Sequence, residues 1–169
     1  MIFKQSKILI TLTFVALILL VLGCYKKKEL SDIPEISLAG ISDSEMQQGY
    51  FKEDSMEIYI QVLDGDGDLG YLGDTAESST IFMVDSRTGN IAEQFSFPAI
   101  PEDKIKNGLE AELRILTYTT CCLFPDNLPP CSVQAGFPTD SFRYDIWLVD
   151  RAGNKSNTIS TPVIRLFCN

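Results

Sequence analysis

From Met56 to Val62 every second residue is apolar. Met56, Ile58, Ile60 and Val62 alternate with Glu57, Tyr59 and Gln61. A period of two sends the two side-chain sets to opposite faces of a strand, and a helix cannot satisfy it. The pattern recurs. Leu109, Ala111, Leu113 and Ile115 alternate with Glu110, Glu112 and Arg114, in a run extending towards Thr120, and Phe142, Tyr144, Ile146 and Leu148 share one face of another run. Thr80 to Val84 and Ile91 to Phe97 read as a hairpin across Ser86-Arg87-Thr88-Gly89-Asn90. Pro34 to Ala39 supplies a first strand and Thr158 to Phe167 a last one, where Pro162 demands an edge or a bulge. No helical stripe competes. The expected fold is all-β, an antiparallel two-sheet sandwich of about seven strands.

The first two dozen residues follow another logic. Lys4 and Lys7 precede an apolar run from Ile8 to Leu22, broken only by Thr11 and Thr13, and Val21-Leu22-Gly23-Cys24 closes it. Charge, apolar stretch and small residue in that order make a secretory signal, and the run is short of the about 20 residues a membrane span needs. The closing four residues resemble the lipobox of bacterial lipoproteins, in which the cysteine becomes the lipid-bearing N-terminus. That resemblance implies a signal peptide over 1–23, lipidation of Cys24 and a tether over 24–33. The domain then occupies 34–169, one unit long enough for a real core. An uncleaved anchor, or an ordinary signal with a coincidental cysteine, is the alternative. Lys26-Lys27-Lys28 would lie at lipid headgroups or serve as solvated spacer.

Residues 1–23 hold two lysines and no acid, so the remainder carries 12 basic and 23 acidic residues, a net charge of −11. Such a surface repels nucleic acid and anionic lipid and tolerates divalent cations. Histidine is absent, which removes His-dependent triads, general bases and metal ligands together. With Cys24 assigned to lipid, Cys121, Cys122, Cys131 and Cys168 read as two disulfides of an exported protein. Zinc and redox chemistry are the rivals, and both want a CxxC spacing that Cys121-Cys122 lacks.

Two further stretches carry a resemblance. Tyr144-Asp145-Ile146-Trp147-Leu148-Val149-Asp150-Arg151-Ala152-Gly153-Asn154-Lys155-Ser156-Asn157 resembles the last hairpin of bacterial immunoglobulin-like domains. Leu63-Asp64-Gly65-Asp66-Gly67-Asp68-Leu69-Gly70 is similar to a run in lipoproteins of the Bacteroidota. Together they imply an immunoglobulin-like fold and a place in the cell envelope, on the outer membrane. They imply no activity.

Asp64, Asp66 and Asp68 alternate with glycines directly after a strand. Calcium takes six to eight oxygens, and acids on a tight glycine turn point several carboxylates at one centre. An EF-hand loop beginning at Asp64 would need Gly and Glu where Leu69 and Thr75 stand, so that template fails. Asp74 and Glu77 are later ligand candidates. The competing reading is a bare solvated turn, since Asp and Gly are common turn residues.

In an immunoglobulin-like strand order, residues 64–79 and 150–156 form loops at the same end of the sandwich. Asp150 and Asn154 would then approach the acidic loop, and Asp32 to Glu35 would lie at that end too. Asp150 as a plain turn former is the alternative. Asp85 and all four cysteines belong at the other end, where two disulfides would pin the proline-rich Leu123–Thr139 excursion, Cys131 pairing with one vicinal cysteine and Cys168 with the other. Trp147 is out of phase with Ile146 and Leu148, so it packs on a neighbouring loop or meets a partner, alongside Tyr59 and Tyr118 if they share its side. The expected function is a membrane-tethered, calcium-stabilised binding or structural module, not an enzyme, with a protein or glycan partner. A metal-dependent envelope hydrolase using loop carboxylates is the alternative.

Overall fold

The computed structural model describes residues 30–70, 80–98, 100–105 and 108–169. Residues 1–23, expected to be a signal peptide, lie outside them, as do Cys24, the Lys26–Lys28 run, Asp74 and Glu77. The described chain is all-β apart from one helical turn, with its strands in largely antiparallel sheets, consistent with a β-sandwich.

One layer is the sheet β1 (Glu35–Ile41), β3 (Ser55–Asp64) and β6 (Leu109–Tyr118), with β3 in the centre. Another sheet runs in the order β5 (Ile91–Ser96), β4 (Thr80–Asp85), β8 (Tyr144–Val149) and β9 (Ile159–Ser160). A third is β2 (Glu45–Gln47), β10 (Ile164–Phe167) and β7 (Thr139–Phe142), in which β2 and β10 are parallel. The helical turn α1 (Glu102–Ile105) lies between β5 and β6.

The alternation in sequence becomes the core in space. Met56, Ile58, Ile60 and Val62 on β3, Ile81 and Met83 on β4, and Tyr144, Ile146 and Leu148 on β8 are all buried in one cluster with Ile164 and Leu166 of β10. A buried aliphatic side chain of this size contributes about 1.5–3 kcal/mol, so this shared core is what joins the layers.

The seven expected strands become ten because two of them divide between sheets and one more, β2, joins them. The run expected from Phe142 to Leu148 divides at Arg143, whose backbone bonds Ser86 in the β4–β5 turn instead of continuing one ladder. The last run divides at Pro162. Asp145 faces Ser160 on one side of it and Phe142 faces Ile164 on the other, a one-residue offset. Proline cannot donate to a ladder, and Thr161 covers the gap by exchanging bonds with Tyr144 through its amide and hydroxyl. β2 was not anticipated, because Met46 is the only apolar residue in it.

The cysteines pair as Cys121–Cys131 and Cys122–Cys168. At that end Arg87 bonds both oxygens of Asp85, then Asp140 at 2.7 Å and the Cys121 carbonyl at 3.0 Å. Trp147 stacks on Phe82 with centroids 5.5 Å apart, and Lys155 caps the ring at 4.2 Å. Tyr59 and Tyr118 are on the other layer, so they do not share its side.

Candidate metal centre

Three aspartates end the core-facing stripes of three strands. Asp64 continues Met56–Val62 on β3, Asp85 continues Ile81 and Met83 on β4, and Asp150 continues Ile146 and Leu148 just past β8. All three are buried in consequence. Two are satisfied locally. Asp85 is held by Arg87, and Asp150 accepts from the Asn154 amide at 2.7 Å and from its side chain at 2.9 Å.

Asp64 is different. It is 0% exposed, and neither carboxylate oxygen has a hydrogen-bond partner. An unmet buried acceptor costs about 1–3 kcal/mol and more when charged, so an ionised Asp64 is costly without a proton or a cation beside it. Burial is the main force pushing its pKa up to about 6, reinforced by the charges of Asp66 and Asp68 and, more weakly, Asp150; only the nearby Leu69 amide opposes.

Asp66 and Asp68 are the neighbours that matter. One carboxylate oxygen from each of Asp64, Asp66 and Asp68 lies within 4.8 Å of the others, a group that could hold a metal ion. Asp66 is exposed and accepts from the Asp68 amide at 3.2 Å. Asp68 is half-buried, and burial raises its pKa above the usual range against the pull of the Ala152 amide. The loop therefore offers oxygen at graded depth, from the core outward.

Glycine is required here twice. A Cβ at Gly65 would meet the Leu30 carbonyl at 2.5 Å and the Ser31 carbonyl at 2.7 Å. Gly67 has φ +70°, a left-handed conformation open to glycine, and a Cβ there would meet the Ile105 Cβ at 2.7 Å. The Gly65 amide also donates to the Ser31 carbonyl at 2.7 Å. So Leu30 and Ser31, assigned to the tether from sequence, pack against the loop.

Asp150 does approach the acidic loop closely enough to raise both Asp64 and Asp68. Its carboxylate is committed to Asn154, however, and neither belongs to the three-carboxylate group. The contact from that turn is the Ala152 amide, which donates to Asp68 Oδ2 at 2.9 Å. A backbone donor leaves no side-chain signature, so sequence could not name it. The burial of Asp64 was legible, because it keeps the parity of Met56–Val62.

Among the described residues one cavity of about 330 Å³ lies elsewhere, between β4, β5 and β6, lined by Ile81, Phe95, Pro98, Leu113, Arg114 and Ile115. Its lining carries no carboxylate. No protein-family model, curated protein or solved structure matches the chain.

Proposed function

We propose that the protein is a binding or structural module of the bacterial cell envelope, tethered through lipidated Cys24 and stabilised by calcium at Asp64, Asp66 and Asp68. One observation carries the cation: a fully buried carboxylate with no hydrogen-bond partner, grouped with two others. The chemistry favours a hard ion. The donors are oxygens, the chain has no histidine, and the four cysteines of the domain are in disulfides.

The order β5-β4-β8-β9 opposite β1-β3-β6 supports an immunoglobulin-like arrangement, since it corresponds to C′-C-F-G facing A-B-E. Envelope placement on the outer membrane rests on sequence resemblance alone, in the N-terminal run ending at Cys24 and in the Leu63–Gly70 stretch. The hydrolase reading would need two carboxylates about 5–9 Å apart in a concave pocket. The carboxylates at the acidic loop are better used as ligands of one ion, and the protein is read as a non-enzyme. Its net charge of −11 after residue 23 disfavours nucleic acid.

The test is thermal unfolding with and without calcium. Calcium at 100 times its dissociation constant adds about 2.7 kcal/mol, which for a domain of this size is several degrees in Tm. Asp66→Asn removes that rise. No shift at millimolar calcium refutes the metal. Fatty-acid label that survives Cys24→Ser refutes lipidation there.

A further inference from the structure

The end of the domain away from the acidic loop carries a cluster of exposed apolar side chains. Tyr50, Phe51, Leu123, Leu128, Val133 and Phe137 are all exposed, Phe51 at 85% and Val133 at 75%. They sit on two loops, 48–53 and 121–138, that are bonded to each other. Tyr50 donates to the Pro130 carbonyl at 2.9 Å, the Gln48 side chain to the Ser132 carbonyl at 3.3 Å, and the Cys122 amide to Gln48 at 3.2 Å.

The same loops hold the strained backbone. Among the described residues the non-glycine positions with positive φ are Lys52, Asp126, Asn127 and Cys131. All four fall at this tip. Aspartate and asparagine tolerate that conformation, but lysine and a disulfide cysteine rarely adopt it. Strain persists only where the surroundings fix it, and it gathers at functional surfaces. Here Cys121–Cys131 closes the loop that holds Asp126, Asn127 and Cys131, and hydrogen bonds to that excursion hold the loop that contains Lys52. Two rigid loops presenting aromatics lose little freedom on binding.

We infer that this disulfide-pinned tip is a docking surface for another protein, one with an apolar centre and a rim of lysine or arginine. Glu53, Asp54 and Asp126 flank the patch, while Lys52 is turned onto the Tyr118 ring at 4.2 Å. A second copy of this chain would bring the same three acids against themselves in a two-fold contact. An anionic membrane is repelled by the same acids. The tip also faces away from the start of the described chain, since Leu30 and Ser31 lie against Gly65, at the far end of β3. Ten residues of strand separate the two ends by about 30 Å. Leu123, Leu128 and Val133 offer a glycan no hydrogen bond, and a protein surface uses them fully.

Photo-crosslinking from within the full-length protein in its own cells tests this. A benzophenone amino acid replaces Phe51 or Val133, and Glu110 on β6 serves as the control position. The expected result is one adduct, formed from both tip positions and not from Glu110, with a different protein. That protein, purified, binds the wild type and loses at least about tenfold in affinity to Phe51→Ala, as for an aromatic anchor. Val133→Ser is a second variant, and both residues are exposed enough to leave the fold intact, checked by disulfide mapping. Three results overturn the inference: an adduct with this chain itself, adducts no stronger than from Glu110, or a partner whose affinity neither substitution changes.

Discussion

The Ala152 amide donates to Asp68 Oδ2 at 2.9 Å, joining two loops whose residues are 84 positions apart in the chain. Hydrogen bonds to a charged acceptor typically contribute about 1.5–3 kcal/mol. Asp68→Ala should therefore speed hydrogen exchange at Ala152 and lower stability by about that amount. Asp68→Asn keeps an acceptor and should keep much of the protection. Equal, unchanged exchange in both variants would show that the bond does not hold the turn.

Asp64 sets a pH dependence with an unusual sign. Its pKa is about 6 in the fold against 3.8 in a free chain, so between those values the folded state binds more protons than the unfolded one. In calcium-free buffer, this group's contribution to stability falls as pH rises from about 4 to 6 and is flat above. The shift corresponds to a change on the order of 3 kcal/mol. Asp68 and Glu93 are raised as well and add to the same slope. Urea midpoints measured across this range should fall with rising pH in the wild type and fall much less in Asp64→Asn. Bound calcium should reverse the trend, because it favours the ionised form.

Gly65 in the acidic loop and Gly40 on β1 differ in the room around them. Gly65→Ala places a Cβ 2.5 Å from the Leu30 carbonyl, a backbone atom that cannot simply swing aside. Overpacking of this kind costs about 1–3 kcal/mol, read as a lower denaturation midpoint. Gly40, on β1, has open space where a Cβ would stand, with nothing within 4 Å. Gly40→Ala should be neutral or stabilising by under about 1 kcal/mol.

The two disulfides should not be worth the same. Cys122–Cys168 spans 46 residues and Cys121–Cys131 spans 10. Loop-closure entropy makes removal of the longer bridge costlier by about 1 kcal/mol, and Cys122 and Cys168 are also more buried. Double alanine variants of each pair, compared by thermal unfolding, should rank in that order.

How far the chain discloses itself depends on which atoms make the contacts. Alternation from Met56 to Val62 places β3 and its core face, and the same parity carried two residues further reaches buried Asp64. Pro162 announced an irregularity, and the register shift lies there. Met46 alone could not announce β2, which exists because β10 offers it a parallel edge. The grip of Leu30 and Ser31 on Gly65, and of Ala152 on Asp68, is made by backbone groups that every residue possesses. Strand order brings Asp150 towards the acidic loop, whereas its bonds from the Asn154 amide and side chain are a detail of the turn that only the fold displays.

Whether buried, unpartnered Asp64 belongs to a cation site is tested most directly by calorimetric titration of the protein with calcium at neutral pH. Saturable binding of one ion per chain is the predicted result, lost in Asp64→Asn and in Asp66→Asn while both variants remain folded. Absence of binding heat from the wild type at millimolar calcium, or unchanged binding in both variants, would contradict it.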